Sequence, residues 1–245
     1  MQVTVDDTVL DLYLAHFPGV YSGEDNLAEI GNLAAGKDRR YLAYFDEDGG
    51  LDPDRYFKPK LLGGTLEYDE DLSEAHCGCD AALYLVRMPA LYSDGSANPT
   101  DGYYYCGSQY GRQVCPEFDV MEANLYSWRT NGHACDPPTD TGYYEHCDGS
   151  AKCGVDQIHY EGFGPGASLI DTNAPFHTRI DFKDVEGVFG GYVVTLTQDD
   201  RTYTMDSASS SICKDESYLN AMTDDIDGNM VITMSIWAAN PIDWL

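Results

Sequence analysis

Met230-Val231-Ile232-Thr233-Met234-Ser235-Ile236-Trp237 alternates without a break. Met230, Ile232, Met234 and Ile236 form an apolar face, while Val231, Thr233, Ser235 and Trp237 form a semi-polar one that ends in an indole. Successive side chains of a strand point to opposite faces, so this segment reads as a strand with a core side and a side ready for a ligand. Working outward, Leu66 to Leu72, Ala82 to Met88 and His177 to Lys183 read as further strands, and Tyr192 to Gln198 with Arg201 to Met205 as a hairpin over a polar turn. Short alternating segments bounded by Gly, Asp and Asn are the mark of a sandwich or barrel. Helix is expected only at Asp7 to Phe17, which stops at Pro18, and at Asp215 to Ile226.

The chain has 245 residues, enough for one sizeable core, and no linker or repeat divides it, so one domain over residues 1–245 is expected. Acidic residues outnumber basic ones 42 to 14, for a formal net charge of −28. Phosphate binding needs a basic face, so nucleic acid and anionic membranes are poor partners, whereas a neutral polysaccharide is not repelled. No apolar run is long enough to span a membrane, and no basic-then-apolar leader opens the chain. The eight cysteines, in a chain with 19 tyrosines, favour disulfides over zinc. No metal or other cofactor is expected. Asp46 to Asp54 is acidic but lacks the central glycine and closing glutamate of a calcium loop, and reads as a solvated turn.

The chemistry concentrates at Cys115-Pro116-Glu117-Phe118-Asp119-Val120-Met121-Glu122-Ala123-Asn124. The carboxylates here are surrounded by apolar residues, with few cations nearby to pair them. On a regular strand Glu117 and Asp119 share a face, and Glu122, an odd step further on, points the other way. A bulge between Asp119 and Glu122 would return them all to one face, and bulges often lie beside active sites. Retaining glycoside hydrolysis needs two such carboxyls, one a nucleophile and one an acid that later serves as base. A third carboxyl beside the nucleophile helps to push their pKa values apart. The many tyrosines, and Trp237 and Trp244 at the end of the alternating strand, could equally be core or flat platforms for sugar rings.

At these residues the chain resembles the family 7 glycoside hydrolases, the cellobiohydrolase and endoglucanase I group. Glu117 to Asn124 matches the hallmark Glu-x-Asp-x-x-Glu-Ala-Asn, followed by His133 and Cys135. The likeness runs from about Lys37 to Leu245. It takes in Cys77-Gly78 with Ala82-Leu83-Tyr84, Tyr105-Cys106 with Ser108-Gln109, Gly164-Pro165-Gly166, and Met230 to Trp237 with Trp244. Residues 1 to about 35 match nothing in the family. The resemblance implies an all-β fold, a concanavalin A-like β-sandwich (jelly roll) with a concave substrate-binding sheet. It implies Glu117 as nucleophile, Asp119 as its partner, Glu122 as acid/base supported by His133, and Tyr105, Gln109, Asn124, Trp237 and Trp244 as substrate contacts. It also implies the disulfides Cys106–Cys115, Cys135–Cys147 and Cys153–Cys213. Cys77 and Cys79 are left either free or joined in a strained bridge across one glycine.

This chain departs from the family at Gly107, where the family has Asp, and at Ala238 and Ala239, where it has two Asp. The stretch from Cys153 to Gly164 is shorter, and the loops that roof a tunnel are missing. The expected protein is therefore a secreted, monomeric enzyme with an open cleft, cutting internal bonds of a β-glucan such as cellulose. Two alternatives share the fold: a family 16-like β-1,3- or mixed-linkage glucanase or transglycosylase, and a non-catalytic glucan-binding protein.

Overall fold

A computed structural model describes residues 2–16, 37–44, 53–76, 78–99, 104–109, 113–150, 152–158, 162–238 and Leu245. In chain order its strands are β1 (Gln2–Val5), β2 (Thr8–His16), β3 (Lys37–Tyr44), β4 (Thr65–Glu70), β5 (Cys79–Val86), β6 (Glu117–Ala123) and β7 (Ser127–His133). They continue as β8 (Asp156–Ile158), β9 (Phe163–Gly164), β10 (Ile170–Asp171), β11 (Phe176–Val185), β12 (Val188–Gln198), β13 (Arg201–Asp206) and β14 (Val231–Ala238). An eight-stranded sheet has the order β1-β2-β3-β14-β5-β6-β7-β8, and a four-stranded sheet the order β13-β12-β11-β4. Every neighbouring pair in both sheets is antiparallel.

The two sheets face each other across one apolar layer. Leu83, Leu85, Phe118, Val120, Trp128 and Ile232 of the large sheet meet Phe176, Ile180, Phe182, Phe189, Tyr192, Val194 and Leu196 of the small one. The Phe118 ring lies edge-on to Tyr192, with centroids 5.1 Å apart, and 5.6 Å from Phe182. Edge-to-face aromatic contacts of this kind add to the burial of the rings themselves and tie β6 to the opposite sheet. The expected sandwich is therefore present. Met230 and Ile232 enter its core, Met234 packs against it, and Ile236 is buried.

The strands and the hairpin read from the sequence are all found, as β4, β5, β11, β12, β13 and β14. Asp7 to Phe17 is a correction: this stretch is not a helix. Its described part is the second arm of a hairpin, with Val5 opposite Thr8 and a turn made by Asp6 and Asp7 at φ 46° and 63°. Aspartate tolerates the left-handed conformation that a two-residue hairpin turn demands. Beyond the turn Leu10, Leu12 and Leu14 recur every second residue, the strand period, and β2 pairs with β3. Asp215 to Ile226 is helical but tighter than expected, a 3-10 run over Glu216–Met222 that opens into α1 (Thr223–Ile226). Asp215 caps it by accepting from the Ser217 N–H at 3.0 Å. Most of Asp46 to Asp54 lies outside the described residues.

Candidate active site

The catalytic-type carboxyls stand on β6 as the spacing required. Asp119 pairs with Asn131 of β7 and Glu122 with Arg129, so β6 spends three steps where β7 spends two. On the other side, Tyr84 of β5 faces Asp119 while the adjacent Leu83 faces Met121. This is a one-residue bulge, and its sign is that the consecutive residues Val120 and Met121 both belong to the core. Phe118, Val120, Met121 and Ala123 therefore face the small sheet, and Glu117, Asp119 and Glu122 the opposite side. The next strand repeats the pattern: Trp128, Thr130 and Gly132 point inward, leaving Arg129, Asn131 and His133 beside the carboxyls.

Glu117 lies opposite His133, and its Oε2 accepts the Ser108 N–H at 2.8 Å. Gly107 makes that approach possible. A Cβ there would stand 2.5 Å from Glu117 Oε2 and 2.8 Å from the Tyr105 hydroxyl, so any side chain would displace them. His133 Nδ1 lies 2.8 Å from the Asp148 carbonyl oxygen, which can only accept, so Nδ1 carries a proton. Its Nε2 lies 3.0 Å from Asp119 Oδ2 and 2.8 Å from the Asn131 amide nitrogen. Burial by itself would lower the His133 pKa, but the bond and charge of Asp119, then Glu117, raise it to about 9. The ring is thus an imidazolium at neutral pH, buried at 5% exposure against Asp119. The Asn131 Oδ1 has no partner, and a half-turn of that amide sets it against the imidazolium N–H.

Glu122 has no such set of donors; Arg129 Nε stands 4.0 Å from its Oε2. Burial raises its pKa well above the carboxylate range, and Asp119 and Asp80 add to the effect. Glu117 is raised too, by burial and then by Asp119, but His133 and the Ser108 N–H pull it back. The two glutamates thus differ in what stabilises their charge, and hydrogen bonds to the charged form are what separate a nucleophile from an acid.

Of the other expected site residues, Tyr105 is buried in a second apolar cluster with Tyr56, Tyr84, Met88 and Tyr144, its hydroxyl near Gly107. Gln109 is exposed and donates to the Gly149 carbonyl. Asn124 is occupied in the β6–β7 turn: its Oδ1 accepts from Tyr126 N at 2.8 Å and Ser127 N at 3.1 Å, and its Nδ2 donates to Cys79 O at 3.3 Å. It acts there as a turn clamp. His133, expected to support Glu122, is bonded to Asp119 instead. Trp237 is half-buried opposite Asp80, while Trp244 and Cys77 lie outside the described residues. Cys106–Cys115, Cys135–Cys147 and Cys153–Cys213 are bonded as the resemblance implied. The sequence reading missed Asp80, Arg129 and Asn131; the alternation Arg129-x-Asn131-x-His133 was the signal for the last two.

A two-sheet sandwich carrying these carboxyls on one bulged strand of its large sheet is the architecture of the β-sandwich glycoside hydrolases. Within that class, the chain is similar to the family 7 glycoside hydrolases. It is 30% identical over 230 residues to endoglucanase EG-1 of Trichoderma longibrachiatum, a match covering 80% of this chain and 47% of that protein. It is 26% identical over 315 residues to endo-β-1,4-glucanase celB of Emericella nidulans, covering 100% of this chain and 71% of the relative. Its fold is shared with the Humicola insolens endocellulase EGI, at TM-score 0.63 and 22% identity over 83% of this chain and 61% of that one. A family 7 cellobiohydrolase from Daphnia pulex superposes at TM-score 0.62 and 20% identity, over 83% of this chain and 62% of that one. No protein-family model matches the chain. The chain spans about half the length of the EG-1 endoglucanases it matches.

Proposed function

We propose that this chain is a retaining, endo-acting β-1,4-glucan hydrolase in which Glu117 is the nucleophile and Glu122 the acid/base. The observation that carries the reading is the bulge in β6, which sets both glutamates and Asp119 on one face beside an imidazolium. Glu122 protonates the leaving oxygen as Glu117 attacks the anomeric carbon, giving a glycosyl-enzyme. Glu122, now a carboxylate, then takes a proton from the water that releases the sugar. Asp119, held by His133, acts on Glu117 from the same face and keeps that carboxyl aimed for attack. Ser108 N–H supports the charge that returns to Glu117.

The names of the relatives, endoglucanase and endo-β-1,4-glucanase, support internal cleavage of a β-1,4-linked chain. A net charge of −28 suits a neutral substrate. The disulfides support an extracellular enzyme, since such bonds persist in oxidising surroundings. The test is product analysis on hydroxyethylcellulose, lichenan and laminarin, all neutral, with Glu117→Gln as control. Viscosity of the cellulose derivative should fall before much reducing sugar appears, and the control should be inert. Disaccharide release from chain ends alone, or activity on laminarin alone, would sink the reading.

A further inference from the structure

Asp80 is a buried carboxyl that the chemistry above does not use. It is the second residue of β5, on the same face as Tyr84 and two steps from Ala82, which is the partner of Glu122 across the β5–β6 ladder. It therefore sits diagonally from Glu122, at a spacing where carboxyl groups interact. Only 1% of its surface is exposed, and both of its oxygens are shut off from solvent. Aspartate is rarely buried so fully without a paired cation or a function.

Its surroundings differ from those of Glu122 in one respect. The Trp237 indole, opposite Asp80 on β14, and the Ala123 backbone N–H both act on Asp80 in favour of its charged form. Glu122 has only Arg129 to favour charge, at 4.0 Å. Among the described residues, the other charged groups acting on this pair are Arg129, Asp119 and, on Glu122, Glu117, and Asp119 disfavours ionisation of both members. Two carboxyls so placed cannot both ionise easily, so the first negative charge goes to the one with better donors.

We propose that Asp80 is a positioning residue for the acid/base: it takes the first negative charge of the Asp80–Glu122 pair, so that Glu122 keeps the proton it must deliver. This rests on the reading of Glu122 as the acid. Burial, and then Asp119, hold the Asp80 carboxyl at about 8, so its effect falls on the alkaline side of the activity profile. With Asp80 present, loss of one proton from the pair leaves Glu122 an acid. Without it, the same loss disarms the enzyme.

The experiment is carboxyl ¹³C NMR titration of Glu122 and Asp80 in the wild-type chain, and of Glu122 in Asp80→Asn. It is paired with kcat/KM against pH on a soluble cellulose derivative. Asp80 should ionise before Glu122 in the wild type. In Asp80→Asn the Glu122 titration and the alkaline limb of kcat/KM should both move down by about one pH unit or more. On an aryl cellobioside whose leaving group needs no acid, that limb should stay in place. Glu122 ionising first in the wild type, or an unmoved Glu122 titration in a folded Asp80→Asn, overturns the proposal. The wild-type titration needs neither turnover nor the variant. A chain that cleaves no glucan but shows the shifted titration defeats the functional reading and leaves the Asp80 effect standing.

Discussion

Glu70 ends β4 with 7% of its surface exposed, and its Oε1 accepts from the Trp128 indole at 3.3 Å and from the Thr178 hydroxyl. Its Oε2 is buried with no partner. Burial raises its pKa from 4.5 to about 8, against the opposing effect of those two donors. The unfolded chain releases this proton near the ordinary value, while the folded chain holds it until about 8. Between these limits the native state binds the extra proton, so stability falls as pH rises and the full cost is present above pH 8. The interval of about 3.5 units, at about 1.4 kcal/mol each, corresponds to about 5 kcal/mol as an upper figure, since a relaxing core recovers part of it. Glu70→Gln keeps the acceptor for Trp128 and Thr178 and has no proton to lose, though its NH2 meets the unpartnered side at a cost of about 1–3 kcal/mol. The variant should thus be slightly less stable than the wild type at pH 5 and more stable at pH 8.5. Urea unfolding with disulfides intact at both pH values measures the difference, and the carboxyls on the open face cancel between the two proteins. Parallel pH profiles for wild type and variant would refute the reasoning.

Glu122→Ala should lose most activity on glucans, retain it on aryl glycosides with good leaving groups, and recover with added azide; equal, unrescued losses on all substrates would count against the acid/base role. Gly107→Ala puts a methyl 2.5 Å from Glu117 Oε2, so kcat should fall about 100-fold with the thermal midpoint little changed; a variant of wild-type kcat would show that Glu117 has room to spare. Phe118→Ala removes the fully buried ring that meets Phe182, Phe189 and Tyr192, and should cost about 3–5 kcal/mol in urea unfolding; a cost below about 1 kcal/mol would mean that β6 is anchored elsewhere.

The sandwich was legible because alternation in segments such as Met230 to Trp237 reports directly which face is buried. The bulge was legible for an equivalent reason: Glu117, Asp119 and Glu122 cannot share a face of a regular strand, so shared chemistry implied an extra residue. Asp7 to Phe17 misled because its stop at Pro18 suits a helix end, whereas Leu10, Leu12 and Leu14 recur at the strand spacing of two and Asp6 with Asp7 makes a hairpin turn. Asn124 misled differently: its place in the hallmark says nothing about which of its neighbours its amide will bond. Asp80 was illegible because a lone aspartate after Cys-Gly-Cys looks like a turn residue. Only the pairing of β5 with β6 and β14 reveals that it is buried beside Glu122.

The extra residue in β6 also decides where this strand can survive a change in its count. Surface loops absorb added or lost residues at little free-energy cost, because closure entropy grows only slowly with length. Within a strand the count is a matter of parity. Deleting Phe118 would make Glu117 and Asp119 immediate neighbours, turning one of them toward Phe182 and Tyr192 as an uncompensated charge in the core. Deleting Val120 would do no such thing: Met121 alone would fill the inward step, the ladder with Arg129 would become regular, and every carboxyl would keep its face. The loss there would be one core side chain and the local bend that a bulge imposes on the aim of Glu122. A lineage carrying this fold thus has a single in-frame codon, at Val120 or Met121, whose gain or loss separates a bulged strand from a straight one without ever passing through an inverted site.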